Sequence, residues 1–452
     1  ARVSAARAVV AKDLPLRDQP PPPAPQSPTP SALKGEPAAE GGHASVTHRR
    51  YRTPSAHIAM LIMDKNAPIQ ILSETPIAQI WSYLSLWESE TAARRLIDER
   101  AASAGVAADD SRFADKALGV AYCLRNAREC LCLEEQAWIP RLIAKYYGAM
   151  WLLSAIMIAD PASDWTLSAL ERTMKMGHGL ANIVDDAARF PASELVFLRE
   201  SGFFPAYLKF AGWTKAELAS ARPTNQRVTD TASLSPEDRS RCFSLDDLFR
   251  RLPELAGYYA VVTGRRSMTA HVFMATRSTA EKAEREARAM MAGQPEPSHP
   301  GYTWIGLGSS AAMTIEDVSA LGMPVTDWEL PGDELDGAHW QGKFTHDQAK
   351  YWHQELPLHS SAMAGTSWIA PLMLRPLDYL AQNFMLLYGL SILTRYRPRT
   401  WREVVEGNLD TYRPLIALYV QAVDRVLPQI ALEAVSARRV ATAQPGSLFA
   451  PV

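Results

Sequence analysis

The sequence predicts an α+β fold that is predominantly α-helical, with a helical core drawn from both ends of the chain and a small β-hairpin or sheet in the middle. Three observations carry this. Two long segments, 140–160 and 377–396, are apolar on every face. Two more, 92–104 and 113–135, repeat apolar residues at helical spacing. The middle of the chain holds short β-prone runs punctuated by glycine.

The first element in order is not a folded one. Seven of the eleven residues Pro20–Pro30 are proline, which lacks the amide donor and fixes φ. Few large apolar residues surround it to offset the entropy of ordering, so residues 1–55 are expected to be a disordered Pro-rich tail. Within it, Pro25-Gln26-Ser27-Pro28 has PxxP form, a docking motif or simply part of a linker. A globular region is expected over 56–430, with a mixed insert at about 255–310, followed by a C-terminal tail over 431–452.

Ala117, Val120, Leu124, Ala127 and Leu131 form one face of the helix expected over 113–135. The segment 140–160 opens with Pro140, suited to a first helical turn. Its two faces, Leu142, Tyr146, Ala149, Leu153 and Ile156 against Ile143, Tyr147, Met150 and Trp151, are both apolar. Such a helix is either enclosed by protein or spans a membrane. Lys145 inside it, costly at bilayer depth, favours a core helix. The segment 377–396 carries Asp378, Gln382 and Asn383, and Pro398 stops it. Tyr258–Thr263 and Thr269–Thr276 read as a hairpin joined by Gly264-Arg265-Arg266, 278–291 as an exposed helix, and Tyr302–Leu307 as a strand.

With a formal net charge of −2, the chain shows no surface for coating DNA, and RNA or protein is the expected partner class. Cys123, Cys130, Cys132 and Cys242 match no common zinc spacing and are too few for a disulfide framework. They read as buried thiols in a reducing compartment, and the expected location is cytoplasmic, with no membrane association.

Three stretches carry a resemblance. Pro140-Arg141-Leu142-Ile143-Ala144-Lys145-Tyr146-Tyr147-Gly148 is followed by Gly177-His178-Gly179-Leu180 with Ser201-Gly202-Phe203-Phe204. Near the end comes Leu386-Leu387-Tyr388-Gly389-Leu390-Ser391-Ile392-Leu393-Thr394-Arg395-Tyr396-Arg397-Pro398, with Trp401. In order and spacing they resemble the YaaC-like family of bacterial proteins, over roughly 60–430. The resemblance implies a shared fold and assigns no catalytic residues. It points to a binding or regulatory protein.

The sharpest candidate for chemistry is Arg172 with His178, an Arg-x5-His spacing similar to that of HEPN-type ribonucleases. Metal-independent RNA cleavage needs a proton acceptor near neutral pKa and a fixed cation beside the phosphorane, which histidine and arginine supply. In that family a homodimer usually completes the site, so a homodimer is expected on this reading. Thr173 departs from the motif, and the glycines flanking His178 suit a turn equally well. His339, His346, His353 and His359, with Asp347 and Glu355, form a histidine series whose spacing does not match a helical zinc site, and no metal is assigned. The glycine-rich run Gly301–Ser310 lacks the full signature of a P-loop or dinucleotide site, so no cofactor is assigned. Tyr146, Tyr147, Arg395, Tyr396 and Arg397 are either pocket walls or core aromatics.

Overall fold

The computed structural model describes residues 68–133, 137–225, 234–293, 300–308, 312–331 and 339–443. The Pro-rich tail, its PxxP segment and residues 444–452 lie outside these. The described residues belong to one compact unit. A short strand β1 (Ile69–Leu72) leads into α1 (Pro76–Leu86), α2 (Glu90–Ala104), α3 (Asp110–Leu131), α4 (Trp138–Ala159) and α5 (Leu167–Met174). Next comes an antiparallel sheet of β2 (Leu180–Val184), β3 (Glu194–Leu198) and β4 (Cys242–Ser244), with α6 (Phe203–Phe210), α7 (Lys215–Ser220) and α8 (Pro236–Arg239) between β3 and β4. Helices α9 (Leu245–Phe249) and α10 (Ala256–Thr263) connect to the larger sheet.

That sheet comprises β5 (Thr269–Met274), β6 (Tyr302–Leu307), β7 (Thr326–Glu329), β8 (Gln341–Thr345), β9 (His359–Ser361) and β10 (Gly365–Ile369). It is antiparallel throughout, in the order β7-β8-β6-β5-β10-β9. Its connections carry α11 (Thr276–Met291), α12 (Ile315–Ala320) and α13 (Trp352–Glu355). The chain closes with α14 (Tyr379–Tyr396), α15 (Pro398–Glu406), α16 (Tyr412–Ser436) and β11 (Val440–Ala443), the last paired in parallel with β1.

The helix-dominated α+β class agrees with the sequence pattern. The predicted face of α3 is buried, and its N-cap Asp109 accepts from the Arg112 amide at 2.9 Å. The two all-apolar helices, α4 and α14, pack together inside the main core, with the Tyr146 and Phe384 rings 5.2 Å apart. Among the described residues two helices are long and apolar enough to cross a membrane, Trp138–Ala159 and Tyr412–Ser436, and most of each is covered by the rest of the fold. Lys145 donates to the Leu131 carbonyl and lies 2.5 Å from Asp424 on α16, so its charge is met inside the protein. Lys116 is likewise enclosed. It donates to the carbonyls of Asp160 (2.9 Å) and Trp165 (2.7 Å) just beyond α4, and burial pushes its pKa down to about 8.

Four expectations need correction. Tyr258–Thr263 is not the first strand of a hairpin but lies within α10. In helical phase Tyr259 reaches the core and bonds Asp246 at 2.7 Å, and Gly264, at φ +67°, stops the helix. β5 instead pairs with β6 and β10, both distant in sequence. The mixed insert therefore extends well past 310, to residue 369, around a small core of its own that includes Val272, Ile305, Phe344 and Trp368. At the C-terminal end, the chain does not become a tail at 431. The packing that buries Leu432 and Val435 carries α16 on to Ser436 before β11. Finally, Cys123 and Cys242 are buried as expected, but Cys130 is half-buried at the end of α3 and Cys132, the residue that caps it, is exposed.

Candidate functional site

The two glycine-containing motifs of the second resembling stretch, around His178 and at Gly202, form one joint. After α5 the chain makes a turn in which Gly177 (φ +88°) and Gly179 (φ +77°) flank His178. The carbonyls of Gly177 and His178 accept from the Phe203 and Phe204 amides, both at 3.0 Å. These are the first amides of α6, which a helix cannot satisfy internally. Gly202, at φ +116°, lies so close that a Cβ on it would sit 2.5 Å from the Gly179 nitrogen. A Cβ on Gly179 would sit 2.2 Å from Pro205 Cδ. At Gly179 and Gly202 the turn has no room for a side chain, whereas Gly177 faces open space and needs glycine only for its positive φ.

That imidazole points among aromatic rings. Its centroid lies 5.5 Å from Tyr146, 6.3 Å from Tyr147 and 6.3 Å from Tyr388. Burial, with Arg395 adding to it, lowers the His178 pKa, so the ring is neutral at pH 7. Arg395 is held by its own helix, Nε to the Ser391 carbonyl at 2.9 Å and Nη2 to Ser391 Oγ at 3.2 Å. Tyr388 Oη donates to the Leu180 carbonyl at 3.2 Å, just beyond the turn. Tyr146 is fully buried, and its hydroxyl has no hydrogen-bond partner among the described residues. Burial raises the pKa of Tyr146 and of Tyr388, so both keep their protons.

Of the two residues singled out from spacing, only His178 is in this cluster. Arg172 is exposed in the last turn of α5, and no hydrogen bond or ion pair among the described residues joins it to His178. The arginine whose charge reaches His178 is Arg395. Among the aromatic and basic residues grouped as possible pocket walls, Tyr146, Tyr147 and Arg395 meet here. Tyr396 is exposed beneath Arg395, and Arg397 turns to the buried Glu194 at 3.7 Å. Tyr388 was not singled out by the sequence reading. Its spacing of seven from Arg395 places both on one helical face two turns apart, which was the available signal.

The histidine series does not converge. His346 bonds Thr303 Oγ1 at 2.9 Å, His353 stacks on Tyr351, and His339 meets Phe273 edge-on. His359 belongs to a second polar cluster, where the larger sheet meets the helices. There Glu254 Oε1 lies 2.7 Å from His359 Nε2 and accepts from Ser361 Oγ at 2.7 Å, while Oε2 accepts from Tyr379 Oη at 2.9 Å. Burial pushes the Glu254 pKa up, but the bonds from His359 and Ser361 outweigh it and hold the carboxyl below its usual range. In the glycine-rich run, Gly306 lies under the Phe273 ring, whose Cζ would be 2.5 Å from an added Cβ, so that glycine serves strand packing.

The sequence model of the family described as YaaC-like Protein matches residues 85–435, most of the chain. No curated protein and no solved structure matches it. The matched span contains every residue of the His178 cluster. The three motif-bearing stretches contribute Tyr146 and Tyr147 from α4, His178 with the Phe203–Phe204 helix start, and Tyr388 and Arg395 from α14. By that match the chain belongs to the YaaC-like protein family.

Proposed function

We propose that this chain is a cytoplasmic binding or regulatory protein whose ligand engages the His178 cluster. The observation that carries the reading is the Tyr146 hydroxyl, buried and unpaired where three separate segments meet. An orphaned buried hydroxyl costs stability unless a partner arrives. The cluster offers protonated phenols, a neutral imidazole and the Arg395 guanidinium, a donor-rich set suited to an anionic ligand such as a phosphate ester. The test is a thermal-shift titration with phosphate monoesters, nucleotides and short RNAs, repeated on Tyr146→Phe and Arg395→Ala. The variants should lose the ligand-induced shift, and Tyr146→Phe should leave the unliganded protein as stable or more so. Undiminished shifts in both variants would refute the reading.

A second reading, metal-independent RNA cleavage with Arg172 and His178, is supported by the neutral state of His178, which suits a general base. It would place the reaction in a homodimer if a second copy completes the site. Purified protein should then cut single-stranded RNA in chelator, and His178→Ala and Arg172→Ala should each abolish cutting. Cleavage that depends on Arg395 but not on Arg172 would keep the base and replace the cation.

A further inference from the structure

Helix α11 breaks the usual pattern of a helix laid on a sheet. Such a helix turns an apolar stripe inward. In α11 no side chain is buried, the half-buried positions include Ser278, Glu281 and Arg285, and Met290 and Met291 face out. The helix is fastened near its start. Ser278 Oγ accepts from the Trp304 amide at 2.6 Å, and the Arg277 guanidinium lies 3.8 Å from the Trp304 ring centroid. Between the helix, β6 and the segment 348–351 lies a cleft of about 380 Å³.

The charges in this cleft are unevenly satisfied. Glu281 accepts from Arg277 at 3.1 Å and from Tyr302 Oη at 3.3 Å. Glu286 faces Lys282 at 3.6 Å, and Lys350 pairs outward with Glu355 at 3.1 Å. Among the described residues the ion pair of Arg285 is with Glu281, at 4.0 Å, too long for a hydrogen bond, which leaves its guanidinium donors for the cleft. Arg277 is shared between Glu281 and Glu329, and the lining itself sets three cations, Lys282, Arg285 and Lys350, against two carboxylates, Glu281 and Glu286, a formal excess of one positive charge. Two aromatic walls complete it. Tyr302 has Lys343 Nζ 4.3 Å from its ring centroid, and Tyr351 is 67% exposed and stacked on His353.

From these features we infer that the α11–β6 cleft binds a nucleotide, with its phosphate on Arg285 and Lys350 and its base against Tyr351 or Tyr302. Guanidinium and ammonium groups recognise phosphate, and a tyrosine face stacks on any base. A volume of about 380 Å³ falls at the small end of ligand sites and suits one nucleotide. The nucleotide is either free or one unit of a single strand, since both present the same phosphate and ring. The site is separate from the His178 cluster and shares no residue with it.

The test uses the full chain, titrated by calorimetry with AMP and, separately, with a six-residue oligoadenylate. Binding of either is expected to weaken by about tenfold or more in Arg285→Ala/Lys350→Ala, and several-fold in Tyr351→Ala. Lys350→Glu serves as a second charge variant, and unchanged unfolding midpoints confirm that the variants fold. In an Arg395→Ala background, which removes anion binding at the site proposed above, AMP or oligomer binding should persist and should be lost on adding Arg285→Ala/Lys350→Ala, which separates the two sites. Binding of AMP identifies a free-nucleotide site, and binding of the oligomer alone identifies a strand site. Absence of both at millimolar concentration would overturn the proposal. So would binding that ignores all three variants, or capture of polyglutamate but not of nucleotides, which would assign the cleft to an acidic protein segment.

Discussion

α4 and α11 are both long helices, yet one is covered on almost every face and the other buries no side chain. Fourteen of the residues of α4 are buried, among them Lys145 and Ser154. α11 reaches its sheet through a serine, an arginine over a tryptophan and a glutamate held by Tyr302. The difference marks two kinds of construction. The helical body, where the family-like segments meet, is held by continuous apolar packing. The larger sheet has a much smaller core and joins the body partly through a buried polar hub at Glu254. Apolar packing tolerates no gap, whereas a polar cleft has room for a ligand.

The comparison can be broken most forcefully in the body. Leu387→Ala on α14 or Leu153→Ala on α4 should cost about 2–5 kcal/mol in denaturant unfolding, as truncations of buried leucine do. A cost no greater than that of a surface change would mean the two helices do not share a tight core. The hub comes next. Glu254→Ala strips three neighbours of a buried acceptor and should cost about 3 kcal/mol. If the joint is what holds the sheet to the body, protease sensitivity should rise in the 269–369 region and not in α4. Equal loss of protection in both would mean that they unfold as one unit.

Gly202→Ala probes the turn that positions His178. The positive φ alone should cost about 1–3 kcal/mol, and the collision with Gly179 adds to it. Chemical denaturation reads the cost, and a neutral outcome would mean that the turn is loose. The smaller effect of pH follows from His178. Its folded pKa lies below the unfolded value of about 6.5, so its contribution is complete above that pH and fades as pH falls through the folded pKa. The melting-temperature gap between wild type and His178→Gln should therefore narrow from pH 7.5 to pH 5. A widening gap would contradict a buried, neutral imidazole. Least of all should happen on the outer face of α11, where Met290→Ala should change stability by no more than about 0.5 kcal/mol.

Much of the body was legible in the chain. All-round apolarity marked α4 and α14 as core helices, and spacing by three and four marked the buried face of α3, because those patterns reflect local helical geometry. The tyrosines of α4 and the Gly-His-Gly turn also stood out. Strand partners did not, and the run Tyr258–Thr263 misled. Its residues favour strands in isolation, but the only large side chain it buries is Tyr259, which helical phase delivers to Asp246.

By itself the sequence determined the helix-dominated class, the family, the apolar helices and the presence of a histidine between two glycines. Only the tertiary structure decided which arginine that histidine senses. Arg172 is six residues away along the chain and Arg395 more than two hundred, yet the packing of α14 against α4 brings the distant one into range and leaves the near one exposed. Periodicity depends on neighbours within a few turns and can be read from a string of residues. The meeting of Tyr146, His178, Tyr388 and Arg395, like that of Glu254 with His359, depends on how whole elements pack, and local sequence does not encode it.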